Sequence, residues 1–479
     1  MQNDNSVTVE EAVLALAMVG DLSMGQPTDQ SIRSARLAAR LAQEDGAGPE
    51  ACAHARLVAL LRWSGCTANA AGFATLLGDD VGGRDAMLTH TLPPDNPLTF
   101  TSVAPLARIH CEVSGDIAGM LGLPPEVEAG LRHVFEHYDG GGMPERLRAP
   151  AIPDLVYYVC LAGDLDILAR AHGSAEALRL IGKLADRKYP AALVERLAPH
   201  AQAWLDGLDE PACPVDDALL ARRVPLTIVA DMIELKLPWL AAYSRRVAEL
   251  AEGGALHAGL APDQRRCLAR AALIHGIGRA AVPNTVWERD GKLSASDWEK
   301  VRLVPYWTAR AGVQIPSLRA EAALASHVYE RLDGSGYFRS VEADALNLPQ
   351  RLLAAAAAYT ALCMARPWRP AHSADEAARL LGQEAAGGRF DVQAVNAVIA
   401  AAGGAAADAA TAPQRKGVLS EREIEVLRRI SLGESNKEAA RVLQISPSTV
   451  RTHIESIFRK LACSTRAAAT LKALTLGLI

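Results

Sequence analysis

The last sixty-odd residues are punctuated so heavily that they leave the backbone few choices. Ser420 precedes Glu421, Arg422 and Glu423, a capping box that starts a helix at its own serine. Ile424, Val426, Leu427 and Ile430 follow at helical spacing as its inner face, and Gly433 stops it as a C-cap. Ser435 caps a second helix with Ala439, Ala440, Val442 and Leu443 inward. Gln444 and Ile445 form a tight turn, and Ser446-Pro447 opens a third helix with a cap residue and proline at its first position. Val450, Ile454, Ile457 and Leu461 face inward on that helix, and Ser448, Arg451, Thr452, Glu455, Arg459 and Lys460 face out. A fourth helix from Thr465 closes a small bundle.

A short helix, a tight turn and a helix with a polar, basic outer face is what entry into the major groove of DNA requires. Charge agrees: from Gln414 to Ile479 there are twelve Lys and Arg against six Glu, while the whole chain carries −5. A basic module on an acidic body confines nucleic-acid binding to one end. The segment closely resembles the LuxR/GerE family of DNA-binding domains through E-x-E-V-L, G-x-S-N-K-E, I-S-x-x-T-V-x-x-H and K-L. The resemblance implies that the third helix reads double-stranded promoter DNA and that the protein acts as a homodimer. By position it places Lys437 on phosphate, and Ser448, Thr449, Arg451 and Thr452 at the front of the recognition helix. Arg459 and Lys460 become backbone contacts at its far end. His453 reads as a packed or phosphate-side histidine, since no second ligand stands four residues away.

The rest of the chain also reads as helix. Ala and Leu dominate and only 5% of the chain is aromatic, which favours helices over strands. No run of eighteen apolar residues occurs, and the N-terminus lacks a basic region followed by an apolar stretch. The expectation is a cytoplasmic protein with no membrane partner. Eight cysteines stand singly, without a C-x-x-C pair, so they read as small core residues.

The body repeats itself. HVFEHYDGGG (133–142) returns as HVYERLDGSG (327–336), and each copy leads to a proline that opens an apolar helix. The landmarks predict an all-α fold of two similar helical domains, 1–210 and 220–400. A linker at 401–416 follows, and the four-helix reader occupies 417–479. Glycines and aspartates of the D-G-x-G phrases read as turn formers, with Asp139 and Asp333 capping the turn.

The second copy resembles the HD-GYP family of metal-dependent phosphohydrolases, many of which cleave cyclic di-GMP, from Ala230 to about Pro370. The first copy resembles it more faintly. In the resemblance, positions that hold metal ligands carry Tyr243, Gly276, Val304, Val328, Tyr329, Ala357 and Thr360, and Arg279 stands for a lysine. His275 is the ligand that survives in this copy, and Asp164 in the first. Losing most of a metal's ligands removes activated water. The expectation is therefore a regulator whose body is no enzyme, a pseudo-phosphohydrolase without metal or cofactor. That body senses a small-molecule effector, dimerises, or does both. Its former active site, as a ligand cavity, would be lined by Tyr243, His275, Arg279, Trp307 and Tyr329. The alternatives are an active cyclic di-GMP phosphodiesterase tethered to DNA, and a body used only for protein contacts such as RNA polymerase.

Overall fold

The computed structural model describes residues 5–209, 218–411 and 418–479. Among them nearly everything regular is helical, and the two named strands, β1 (Ser6–Thr8) and β2 (Arg223–Pro225), form one short pairing. Two compact units result. Among the described residues, one unit lies within Thr8–Val224 and the other within Pro225–Ile479, which also takes in residues 5–7.

In the first unit, α1 (Val9–Ser23), α2 (Gln30–Glu44), α3 (Pro49–Leu61), α4 (Phe100–Met120) and α5 (Asp154–His172) do most of the packing. Helix α2 lies against both α3 and α5, and its inner face of Ala35, Leu37, Ala38 and Leu41 is fully buried. In the second unit, α6 (Thr227–Glu234) leads to α7 (Tyr243–His257), which packs against α8 (Pro262–Ile274), α9 (Leu348–Cys363) and α10 (Val392–Thr411). Ala-rich faces let these helices approach closely: Ala354 to Ala357 of α9 are all buried.

Both central helices are capped from a distance. Neither Asp29 before α2 nor Ala242 before α7 gives a side-chain cap. Asp21 instead accepts the Ser31 N–H at 3.1 Å and the Ser31 hydroxyl at 2.5 Å. Glu234 accepts the Ser244 N–H at 2.5 Å. Each carboxyl lies ten positions ahead of its serine and is buried. Burial is also why both hold their protons to about 8, against the pull of the serine hydrogen bonds.

The D-G-x-G turn is built in the same way twice. Glu136 accepts the N–H groups of Glu145 and Leu147 at 2.7 and 2.9 Å; Glu330 accepts those of Arg339 and Val341 at 2.9 and 3.2 Å. Asp139 takes the Gly141 N–H, and Asp333 the Ser335 N–H and hydroxyl. Gly142 and Gly336 are required by space: a Cβ there would lie 2.3 Å from the His137 nitrogen or 2.5 Å from the Arg331 nitrogen.

The stretch expected as a linker begins as helix, because α10 continues to Thr411. Alanine is the strongest helix former, so a run without amphipathic period still extends a helix already nucleated. The rest of that stretch, from 412, lies outside the described residues.

The reader follows as α11 (Glu421–Ser431), α12 (Asn436–Leu443), α13 (Pro447–Leu461) and α14 (Arg466–Thr475). Ser420, Ser435 and Ser446 each accept the N–H three residues on, and the first two complete capping boxes with Glu423 and Glu438. Helix α11 ends at Ser431 with Leu432 as its cap, and Gly433 adopts φ +87° just beyond. The core is Leu419, Val426, Leu427, Ile430, Ala439, Ala440, Val450, Ile454, Ile457 and Leu461, with Ala469 and Ala473 of α14. One inward expectation fails: Val442 is 48% exposed. Helix α12 is only eight residues long, and Ala439, Ala440 and half-buried Leu443 already fill the face it turns inward.

Candidate DNA interface and body cavity

Helix α13 keeps its outer face open. Ser448, Thr449, Arg451, Thr452, Arg459 and Lys460 are all exposed, as is Lys437 in the first turn of α12. His453 is half-buried. Arg451 pairs with Glu455 at 2.9 Å one turn along, and its side chain remains 76% exposed. An exposed pair of this kind is weak and is easily exchanged for a phosphate or base edge. Lys460 differs: its Nζ lies 2.7 Å from Glu423, whose other oxygen accepts the Ser456 hydroxyl at 2.7 Å. Although burial opposes it, Lys460 and the hydrogen bonds of Ser420 and Ser456 hold the Glu423 carboxyl down to about 2.

Four of the five residues expected around a body cavity come together in the second unit. Arg279 Nη2 donates to His275 Nε2 at 3.0 Å and to the Tyr329 hydroxyl at 2.8 Å. The Arg279 guanidinium also lies 4.9 Å above the Tyr243 ring, and Tyr243 stands 5.5 Å from the His275 ring. Trp307 belongs to a neighbouring patch, packed on Tyr306 at 5.0 Å and over Gly278. The four fill the space by packing on one another. Among the described residues, Arg279 Nη1 and Glu234 Oε2 are buried without hydrogen-bond partners.

A cavity of about 400 Å³ lies alongside and shares only Tyr329 with the expected five. Its walls include Trp298, Tyr337 and Phe390, with Arg331, Arg369 and Arg389. Tyr337 stacks on Tyr329 at 4.7 Å, and the Arg331 guanidinium covers Phe390 at 4.3 Å. Arg331 gives one N–H to the Glu330 carbonyl, and Arg389 pairs with Glu384 at 2.8 Å. Sequence reasoning passed over these residues. The available signal was Arg331 and Tyr337, which flank the D-G-S-G turn and must follow it to wherever it points.

Residues 227–394 match the HD domain family, and residues 417–473 match the luxR family of bacterial regulatory proteins. The chain thus joins an HD domain to a LuxR-type helix-turn-helix domain. It is 26% identical over 422 residues to the 3'3'-cGAMP-specific phosphodiesterase 3 of Vibrio cholerae serotype O1, covering 79% of this chain and 91% of that protein. The nitrate/nitrite response regulator NarP of Escherichia coli K12 is 50% identical over 54 residues, 11% of this chain and 25% of that one. A crystal structure of a V. cholerae cyclic GMP-AMP specific phosphodiesterase superposes with a TM-score of 0.58 at 23% identity, covering 83% of this chain and 98% of the other. That likeness shows the fold.

These relatives overturn one expectation. Missing ligands suggested a body that is no enzyme, but the proteins that align with most of the chain are phosphodiesterases, and the kinship points to an enzyme. The residues at the family's metal positions nevertheless do not fit a divalent ion. His275 Nδ1 faces the Ala272 carbonyl at 2.5 Å and so carries its proton, while Nε2 accepts from Arg279. Both ring nitrogens are engaged, and burial with the Arg279 charge lowers this imidazole to about 3. In the first unit, burial would raise Asp164, yet Lys188 and Arg62 hold it to about 2. Among the described residues no three His, Cys, Asp or Glu side chains converge. Nor is any described helix long and apolar enough to cross a membrane.

Proposed function

We propose that the protein is a transcription regulator that reads promoter DNA with α13 and takes a cyclic dinucleotide into its HD body. The observation that carries the first half is the open outer face of α13 on a separately cored, LuxR-type module. In this reading Arg451 and the hydroxyls of Ser448, Thr449 and Thr452 meet base edges and flanking phosphates, and Lys437 and Arg459 bind phosphate. Lys460 is held by Glu423, so its share of phosphate binding passes to Arg459. The protein acts as a homodimer, because one module reads too few bases for useful specificity. Contact with RNA polymerase is then the means of regulation.

The second half rests on the cavity. Three arginines suit phosphates, aromatic walls suit stacked bases, and its volume is in the range of small-ligand pockets. Relatives named for 3'3'-cGAMP and cyclic di-GMP phosphodiesterase activity favour that ligand class. They also favour a second reading, in which the bound dinucleotide is cleaved.

Gel-shift titration at two salt concentrations tests the reader. Arg451→Ala should lose about 1–3 kcal/mol on specific DNA, whereas Lys437→Ala should weaken all sequences and flatten the salt slope. Unchanged affinity removes the assignment. Calorimetry with 3'3'-cGAMP and cyclic di-GMP tests the cavity, and analysis of the nucleotide afterwards separates binding from cleavage. Heat from neither ligand would end the dinucleotide reading.

A further inference from the structure

The first unit holds a cluster of soft donors that neither the DNA interface nor the arginine-lined cavity uses. Met24, Cys66 and His110 arrive from the end of α1, the loop after α3 and the middle of α4. The Cys66 sulfur lies 3.3 Å from the Met24 thioether and 3.5 Å from His110 Nδ1. All three residues are buried. Half-buried Met87 packs against the core cluster that contains Met24 and Cys66.

We propose that Met24, Cys66 and His110 form a binding site for a monovalent soft metal ion, Cu(I). Thiolate and thioether ligands select Cu(I) over harder ions, and an imidazole completes a trigonal set. The imidazole is prepared for the role. His110 Nε2 lies 3.3 Å from the Ser114 hydroxyl, and a proton placed there leaves the Nδ1 lone pair toward Cys66.

Charge selects the oxidation state. One thiolate and one Cu(I) are neutral together, which a dry core accepts, whereas a divalent ion would leave net charge buried. The fit requires little movement. Metal–sulfur bonds of about 2.3 Å at trigonal angles set the two sulfurs about 4 Å apart. The Met24 side chain, with three rotatable bonds, opens that distance without shifting the backbone. Binding releases the Cys66 proton to solvent, and no electron is transferred.

The test is anaerobic titration of the full chain with Cu(I) against a chromophoric chelator, followed by X-ray absorption of the loaded protein. The expected result is one tightly held ion per chain, with a shell of sulfur and one nitrogen. Met24→Leu keeps the core volume and should weaken binding at least tenfold, about the loss expected for a perturbed metal site. Cys66→Ala should abolish tight binding, while Cys52→Ala, on a more exposed cysteine, should leave it intact. Absence of tight binding in the wild type, a sulfur-only shell, or equal affinity in Met24→Leu and Cys66→Ala would each overturn the proposal. The last two outcomes would show capture by other thiols, and the first would leave the cluster as sulfur-rich core packing.

Discussion

The two repeats share their supports and differ in what the supports surround. Asp21 and Glu234 cap the central helices in the same manner, ten residues ahead, and Glu136 and Glu330 hold the same turn by the same two N–H bonds. Counted from those capping carboxyls, Cys66 and Arg279 fall at the same place. In the first repeat that place holds a thiol beside a thioether and an imidazole. In the second it holds a guanidinium between His275 and Tyr329. Buried backbone N–H groups must be satisfied whatever the site does, so the groups that satisfy them persist. Side chains at the centre answer only to one another and to a ligand, and they are free to diverge.

The largest effect is expected from removing the distant caps. Asp21→Ala and Glu234→Ala each strand a buried serine N–H at a helix start, and each should cost about 3 kcal/mol in urea unfolding. A small loss in one repeat and a large one in the other would show that the two caps are not equivalent. Asp21→Asn and Glu234→Gln sharpen the point. Both acids are raised in the folded chain to about 8. The unfolded chain therefore releases these protons first, and stability falls as pH rises from the ordinary carboxylate range toward 8. The amide variants should flatten that decline.

Asp164 has the opposite sign. Its folded value of about 2 lies below the usual 3.8, so its contribution is complete above that value and is lost as pH falls toward 2. Asp164→Asn should lower stability at pH 7 by about 2 kcal/mol and blunt the acid limb of the pH–stability curve. An unchanged acid limb would remove Lys188 and Arg62 as its stabilisers. The smallest effect is expected at the paired turns. Asp139→Ala and Asp333→Ala, in exposed or half-exposed turns, should each lower the urea midpoint only slightly, and by similar amounts if the turns are truly alike.

What the sequence made legible follows from the range of each interaction. The reader was legible almost to the residue, because Ser420–Glu423 and Ser446–Pro447 are local signals whose partners lie within one helical turn. Helix content and the doubled D-G-x-G turn were legible for the same reason. The caps from Asp21 and Glu234 were not, since an Asp in one copy and a Glu in the other hide the match, and the bond exists only after two helices meet. Tyr243, His275, Arg279 and Tyr329 come together in the structure, but their own large side chains occupy the volume between them, and an open space lies beside them at Arg331 and Tyr337.

Glu423 has a consequence for how DNA is met. One carboxylate closes the capping box at the start of α11 and also ties down Ser456 and Lys460 on α13. The pitch of the reading helix is therefore set when the module folds, and little conformational freedom is left to lose at the operator. A reader assembled in advance has few internal settings to change. In the proposed homodimer, regulation then acts on how many readers are delivered together and at what spacing, rather than on the shape of any one of them.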